Sequence, residues 1–161
     1  MRPGETWLEL GSGTGAFTLA LAAVLGPRGT IHSIDQDRGA LESQAAAVGA
    51  QFGTVRLDQR TADFTRPLGF SGMDGVLMAN SLHFVRDKAP VLALVRSYLA
   101  PGGRFVLVEY DADRGNHWVP HPISYTTWLA VAPAAGFNGA RLLGRVPSRF
   151  LNAIYASVAT S

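Results

Sequence analysis

The 161-residue sequence contains no cysteine. That excludes a disulfide framework, a thiolate zinc site and a cysteine nucleophile, and it suits a reducing, cytoplasmic setting. Lysine is nearly absent as well: Lys88 stands alone among fourteen Lys and Arg residues. The arginines are scattered singly and the formal net charge is only +2, so no basic stripe argues for nucleic acid. No apolar run reaches the roughly 18–20 residues of a membrane span, so no membrane partner is expected. The longest run, Ala16 to Leu25, follows Arg2 as a signal-peptide core would. Glycines interrupt its approach, however, and no small-residue cleavage site follows Pro27.

What is present is 47% hydrophobic content. It lets one domain, residues 1–161, bury about 70% of the surface its unfolded chain exposes. Strand-length and helix-length apolar stretches alternate, each change marked by glycine, proline or aspartate, which predicts strand-helix-strand units and a mostly parallel sheet. Strands are predicted at 6–10, 30–35, 53–60, 75–80 and 104–110. Helices are predicted at 14–25, from the second strand through Val48, at 88–99 and at 124–135, the last distorted by Pro133. "GVLMAN" and "RFVLVEY" are apolar at successive positions, the pattern of central strands covered on both faces. Segments 141–146 and 150–158 read as a closing antiparallel hairpin. The fold class is thus α/β, a three-layer Rossmann-like sandwich whose seven-stranded, mostly parallel sheet carries one antiparallel strand.

The turn "LELGSGTGAF", Leu8 to Phe17, sets Gly11, Gly13 and Gly15 between a strand and a helix N-terminus. Glycine there permits positive φ and close approach to a ligand, and the helix directs free N–H groups at it. The letters also satisfy the dinucleotide pattern G-x-G-x-x-A. Glu9 bears on the choice, because a carboxylate at that strand end opposes a pyrophosphate and favours an ammonium or sulfonium. At about 4 Å and an effective dielectric near 20, one charge pair amounts to roughly 4 kcal/mol before desolvation.

"LELGSGTG" resembles the first motif of class I S-adenosylmethionine-dependent methyltransferases, and the likeness continues through "IHSIDQD", "TADF", "MDGVLMANSLHFV" and "LAPGGRFVLVEYD". The resemblance implies S-adenosylmethionine as cofactor. It implies that Gly11, Ser12, Gly13 and Gly15 border the methionine and ribose portions, with Glu9 near the amino group. Asp35 would accept from the ribose hydroxyls, Gln36 would lie beside the adenine, Asp63 would accept from its amine, and Phe64 would contact its face. Asn80 would lie close to the transferring methyl. The family commonly carries helices before the first strand, whereas here that strand begins about six residues in; either the sequence is a truncated one, or acceptor binding relies on the loop after the fifth strand or on a partner chain.

Ligands of open α/β sheets bind outside the carboxyl ends of the strands. That edge holds His83 and the cluster Glu109, Tyr110 and Asp111; His83, Tyr110 and Asp111 are the candidates for acceptor contact or general base. His117, Trp118 and His121 lie in the following loop as lid or anchor. The spacing of Asp111, His117 and His121 matches no firm metal-ligand pattern, and none is expected. The fourth strand ends in "NSLHF" and lacks the Pro-Pro-aromatic segment of nucleobase amino-methylating enzymes. The reading is methyl transfer to a small-molecule acceptor, with homodimerisation open. Its rivals are a NAD-dependent oxidoreductase, for which no Tyr-x-x-x-Lys pair exists, and a non-catalytic S-adenosylmethionine-binding protein.

Overall fold

The computed structural model describes residues 1–161. Seven strands, β1 (Thr6–Leu10), β2 (Thr30–Asp35), β3 (Arg56–Thr61), β4 (Met73–Ala79), β5 (Leu99–Tyr110), β6 (Asn138–Pro147) and β7 (Ala153–Thr160), form one sheet in the order β3-β2-β1-β4-β5-β7-β6. β1 to β5 pair in parallel, and β7 runs antiparallel between β5 and β6. The predicted single antiparallel strand is therefore β7, inserted by the hairpin with β6. Helices α1 (Ala16–Leu25), α2 (Arg38–Phe52), α3 (Ala89–Tyr98) and α4 (Tyr125–Val131) complete the chain. None is long and apolar enough to cross a membrane.

The successive apolar residues of the central strands divide between two cores. Leu8, Leu10, Val76, Met78, Phe105 and Leu107 pack with Val91, Leu92 and Val95 of α3 and Trp128 of α4. Trp7, Leu77, Val106 and Val108, the alternate positions, pack with Leu21, Ala22 and Leu25 of α1. This is the period-two division of a strand covered on both faces. Trp7 is fully buried because its register partner in β4 is Gly75; a Cβ at Gly75 would collide with the indole ring.

Several boundaries move from the sequence expectation. α2 runs on to Phe52, so β3 starts at Arg56 instead of residue 53. The edge strand β3, "RLDQRT", is mostly polar and half-exposed, which leaves no buried alternation to mark its start. α4 ends at Val131, two residues before Pro133, which has no N–H to donate into a further helical turn.

Candidate active site

The three glycines turn the chain sharply from β1 into α1, each with positive φ, +74° at Gly11, +54° at Gly13 and +95° at Gly15. The N–H groups of Gly11 and Ser12 both donate to the Ile34 carbonyl at the end of β2. A Cβ at Gly11 would lie 2.5 Å from Ser81 Cβ, and one at Gly15 would lie 2.5 Å from Gln44 Cγ, whereas a Cβ at Gly13 would meet open space. Gly11 and Gly15 therefore serve packing, and Gly13 bares its backbone to a cleft. Asp35 anchors that backbone: Oδ2 accepts from Gly13 N–H at 2.7 Å and Oδ1 from Asp37 N–H at 2.9 Å.

The cleft has a volume of about 510 Å³, and Gly11, Gly13, Asp35, Gln36, Phe64 and Asn80 line it together with Thr65, Ser81, Phe84 and Val85. Six of the ten residues assigned to the cofactor thus converge on one cavity of ligand size. Asn80 closes its floor at the end of β4 with φ +53°, uncommon for a residue with a side chain. Its Oδ1 is sealed from solvent and has no hydrogen-bond partner in the protein. A strained backbone beneath an unsatisfied buried acceptor marks a place where a ligand donor belongs.

The other four residues assigned to the cofactor do not reach the cleft. Glu9 is buried beneath the turn, and its Oε2 accepts from Thr18 Oγ1 on α1. Burial, opposed by the Thr18 bond and aided by the nearby Asp35 charge, pushes its carboxyl up to about 7. It is therefore not the fixed negative charge at the cavity wall that selection for an onium ligand requires. Asp63 faces its own turn: Oδ1 accepts from Thr65 Oγ1 and N–H, and Arg66 pairs with Oδ2. The Thr65 bonds hold this carboxyl below the usual range, and Thr65 lines the cleft in its place. The Ser12 hydroxyl is bonded to Ser33 beneath the loop, and Gly15 packs on Gln44.

Thr18, Gln44 and Ser33, which the sequence pattern did not single out, join Glu9 to Ser12 in one buried network. Gln44 Nε2 donates to Thr18, and the Ser33 hydroxyl lies 2.9 Å from Gln44 Oε1. Thr18 is the only polar residue of α1, and that was its signal.

At the neighbouring strand ends, β5 delivers Glu109, fully buried, against His83, 3% exposed, in the short helical turn Leu82–Phe84 after β4. Both Glu109 oxygens lie 3.1 Å from His83 Nδ1. Oε1 also accepts from His83 N–H at 2.9 Å, and Oε2 from Tyr110 N–H at 3.0 Å. A carboxylate there fixes the proton on Nδ1 and leaves the Nε2 lone pair free. The only sealed, unpaired side-chain atoms of the chain are Asn80 Oδ1 and Tyr155 Oη, so Nε2, which no protein group satisfies, reaches solvent.

Glu109, grouped with Tyr110 and Asp111 from sequence, is thus the residue of that cluster that touches His83 through its charge. The Tyr110 ring packs edge-on to the imidazole at 5.5 Å, and burial raises its hydroxyl pKa. Asp111 is not available as a base: it pairs with Arg145 Nη2 at 2.7 Å and accepts from Tyr125 N–H, tying β6 to α4. Phe84, 64% exposed, packs against the His83 ring at 4.3 Å with the planes tilted by 46° and belongs to the cleft lining, so the histidine lies one ring behind the cavity wall.

The family model described as a methyltransferase domain matches residues 8–105. A ubiquinone/menaquinone biosynthesis C-methyltransferase from Acidiphilium cryptum is 34% identical over 141 residues, 84% of this chain and 53% of that protein. The chain spans a third to about half the length of the curated relatives it first matches. Among solved structures, a 1,6-didemethyltoxoflavin-N1-methyltransferase from Burkholderia thailandensis, with bound 1,6-didemethyltoxoflavin and S-adenosylhomocysteine, superposes with TM-score 0.80. It is 20% identical, and the match covers 99% of this chain and 72% of that one. A methyltransferase from Methanosarcina mazei gives TM-score 0.77 at 16% identity, covering 100% and 94%.

Proposed function

The chain belongs to the class I S-adenosylmethionine-dependent methyltransferases, and from that membership we propose that it methylates a small-molecule acceptor whose proton His83 removes. The observation that carries the proposal is the buried Glu109 carboxylate on His83 Nδ1, with Nε2 unpaired and its sequence neighbour Phe84 in the cleft lining.

The residues present fit the cofactor. Gly11, Gly13, Asp35, Gln36, Phe64 and Asn80 would hold it, the unpaired Asn80 Oδ1 supplying an acceptor for its ammonium and the open space at Gly13 admitting it to the backbone. When bound, S-adenosylmethionine supplies a methyl carbon already activated by its sulfonium. The protein's part is alignment, which can account for roughly 7–11 kcal/mol of a barrier. His83 Nε2 takes the proton of a hydroxyl, amine or carbon acid, and Glu109 holds the imidazolium that results. A base so placed contributes about 10²–10⁴-fold. The C-methyltransferase relative favours carbon as the acceptor atom.

Calorimetry tests the first half: S-adenosylhomocysteine binds and NAD does not, and the reverse result would return the chain to the oxidoreductases. Turnover against a panel of phenols, amines and 1,3-dicarbonyl compounds tests the second. His83→Ala lowers turnover by about 10²–10⁴-fold while keeping S-adenosylhomocysteine affinity; a variant that turns over at the parent rate removes the base.

A further inference from the structure

Lys88, the chain's single lysine, stands half-buried at the start of α3 and forms no ion pair with any carboxylate. Its neighbour Asp87 directs Oδ1 to the Ala89 N–H. Instead the ammonium donates to two backbone carbonyls, Val85 at 2.9 Å and His121 at 2.7 Å. Lysine is ordinarily a strongly hydrated point charge on a flexible stem that keeps its head in water. Here burial depresses its pKa, with the Glu109 carboxylate partly opposing that effect, so the charge is held in place against a desolvation cost.

The second carbonyl gives the arrangement its meaning. His121 N–H donates to the His83 carbonyl at 3.0 Å, so the two peptide groups flanking the His121 Cα are both held. One grip is the backbone of His83; the other is the side chain five residues further along the same segment. The result is a closed ring of hydrogen bonds joining residues 83–88 to the loop between β5 and α4. An ammonium, with three donors in no fixed plane, can serve two carbonyls that converge from different segments. An apolar side chain would leave both unsatisfied.

Resting on the reading of His83 as the base, we propose that Lys88 is a positioning residue: it latches the 111–124 loop onto the His83 segment and so fixes the direction in which Nε2 is presented. Glu109 holds the ring at one end, and the latch holds the backbone that carries it.

The test is made on the protein without cofactor or acceptor. In Lys88→Met, hydrogen exchange of the His121 amide accelerates at least about tenfold, and the imidazole resonances and titration midpoint of His83 move. Exchange within β1 and β4 stays at parent values, and S-adenosylhomocysteine affinity stays within about twofold. Unchanged His121 exchange and His83 titration would overturn the latch, as would equal acceleration throughout the sheet, which would mark a general packing role. Should Lys88→Met not fold, Lys88 is reductively dimethylated in the folded parent, which keeps the charge and leaves one N–H. Faster His121 exchange and a shifted His83 titration then support the latch, and no change in either overturns it. Neither signal depends on turnover, so their failure removes the latch and leaves the His83 base to be judged by its own assay.

Discussion

Glu109 meets His83 twice, at the imidazole Nδ1 and at the backbone N–H, and both residues are almost completely shut off from solvent. The pair is therefore oriented as a unit: the carboxylate that chooses the tautomer also holds the peptide on which the ring hangs.

Replacing Glu109 with Gln keeps the shape and removes the charge. Turnover is expected to fall about 100-fold, within the range that a positioned base contributes, while S-adenosylhomocysteine affinity stays within about twofold. Steady-state kinetics beside calorimetry measure both, and parent-like turnover would show that the imidazolium needs no counter-charge.

Asn80→Gly separates strain from binding. Glycine adopts φ near +53° freely, so chemical denaturation should show stability unchanged or raised by up to about 1 kcal/mol. Loss of the Oδ1 acceptor should weaken S-adenosylhomocysteine by roughly 1–3 kcal/mol, as for a bond to a charged group. A variant with unaltered affinity would remove Asn80 from the cofactor's contacts.

Glu9 makes stability depend on pH. Its folded carboxyl lies at about 7, above the ordinary 4.5, so the folded state binds the proton more tightly than the unfolded state. The contribution is therefore fully present below about pH 4.5 and disappears as pH rises through 7, a loss of about 3 kcal/mol. Glu9→Gln, which can still accept from Thr18, should be more stable than the parent at pH 8 and nearly level with it at pH 4. Parallel denaturation profiles across that range would contradict this.

Gly75→Ala places a methyl group in the Trp7 ring. Overpacking of this kind costs about 1–3 kcal/mol, measurable in urea unfolding. The cofactor cleft does not include either residue, so binding at full occupancy should be untouched.

How much of this was legible in the letters follows from what each letter has to do. The glycines of the turn and the unbroken apolar runs of β4 and β5 announce backbone geometry and two-sided burial, and from them the parallel sheet and its strand-to-helix turn were legible. Glu9 and Asp63 look alike as acidic residues near strand ends, yet one turns under the loop to Thr18 and the other bonds back to Thr65. Neither partner is distant, nine positions on for Glu9 and two for Asp63, but which way each carboxylate turns depends on how the loop and α1 fold back, and the motif's letters do not encode that. Glu109 and His83 are 26 positions apart, and only the parallel pairing of β4 with β5 brings their strand ends together. The latch formed by Lys88 depends on the same kind of long-range meeting.

The bond between Asp35 and Gly13 has a kinetic consequence. Because that carboxylate fixes the bare peptide from within the protein, little conformational freedom of the turn remains to be lost on association. Entry of a nucleoside ligand should then follow one fast bimolecular phase that scales linearly with concentration and does not level off at a loop-closing step, as in other preorganised recognition.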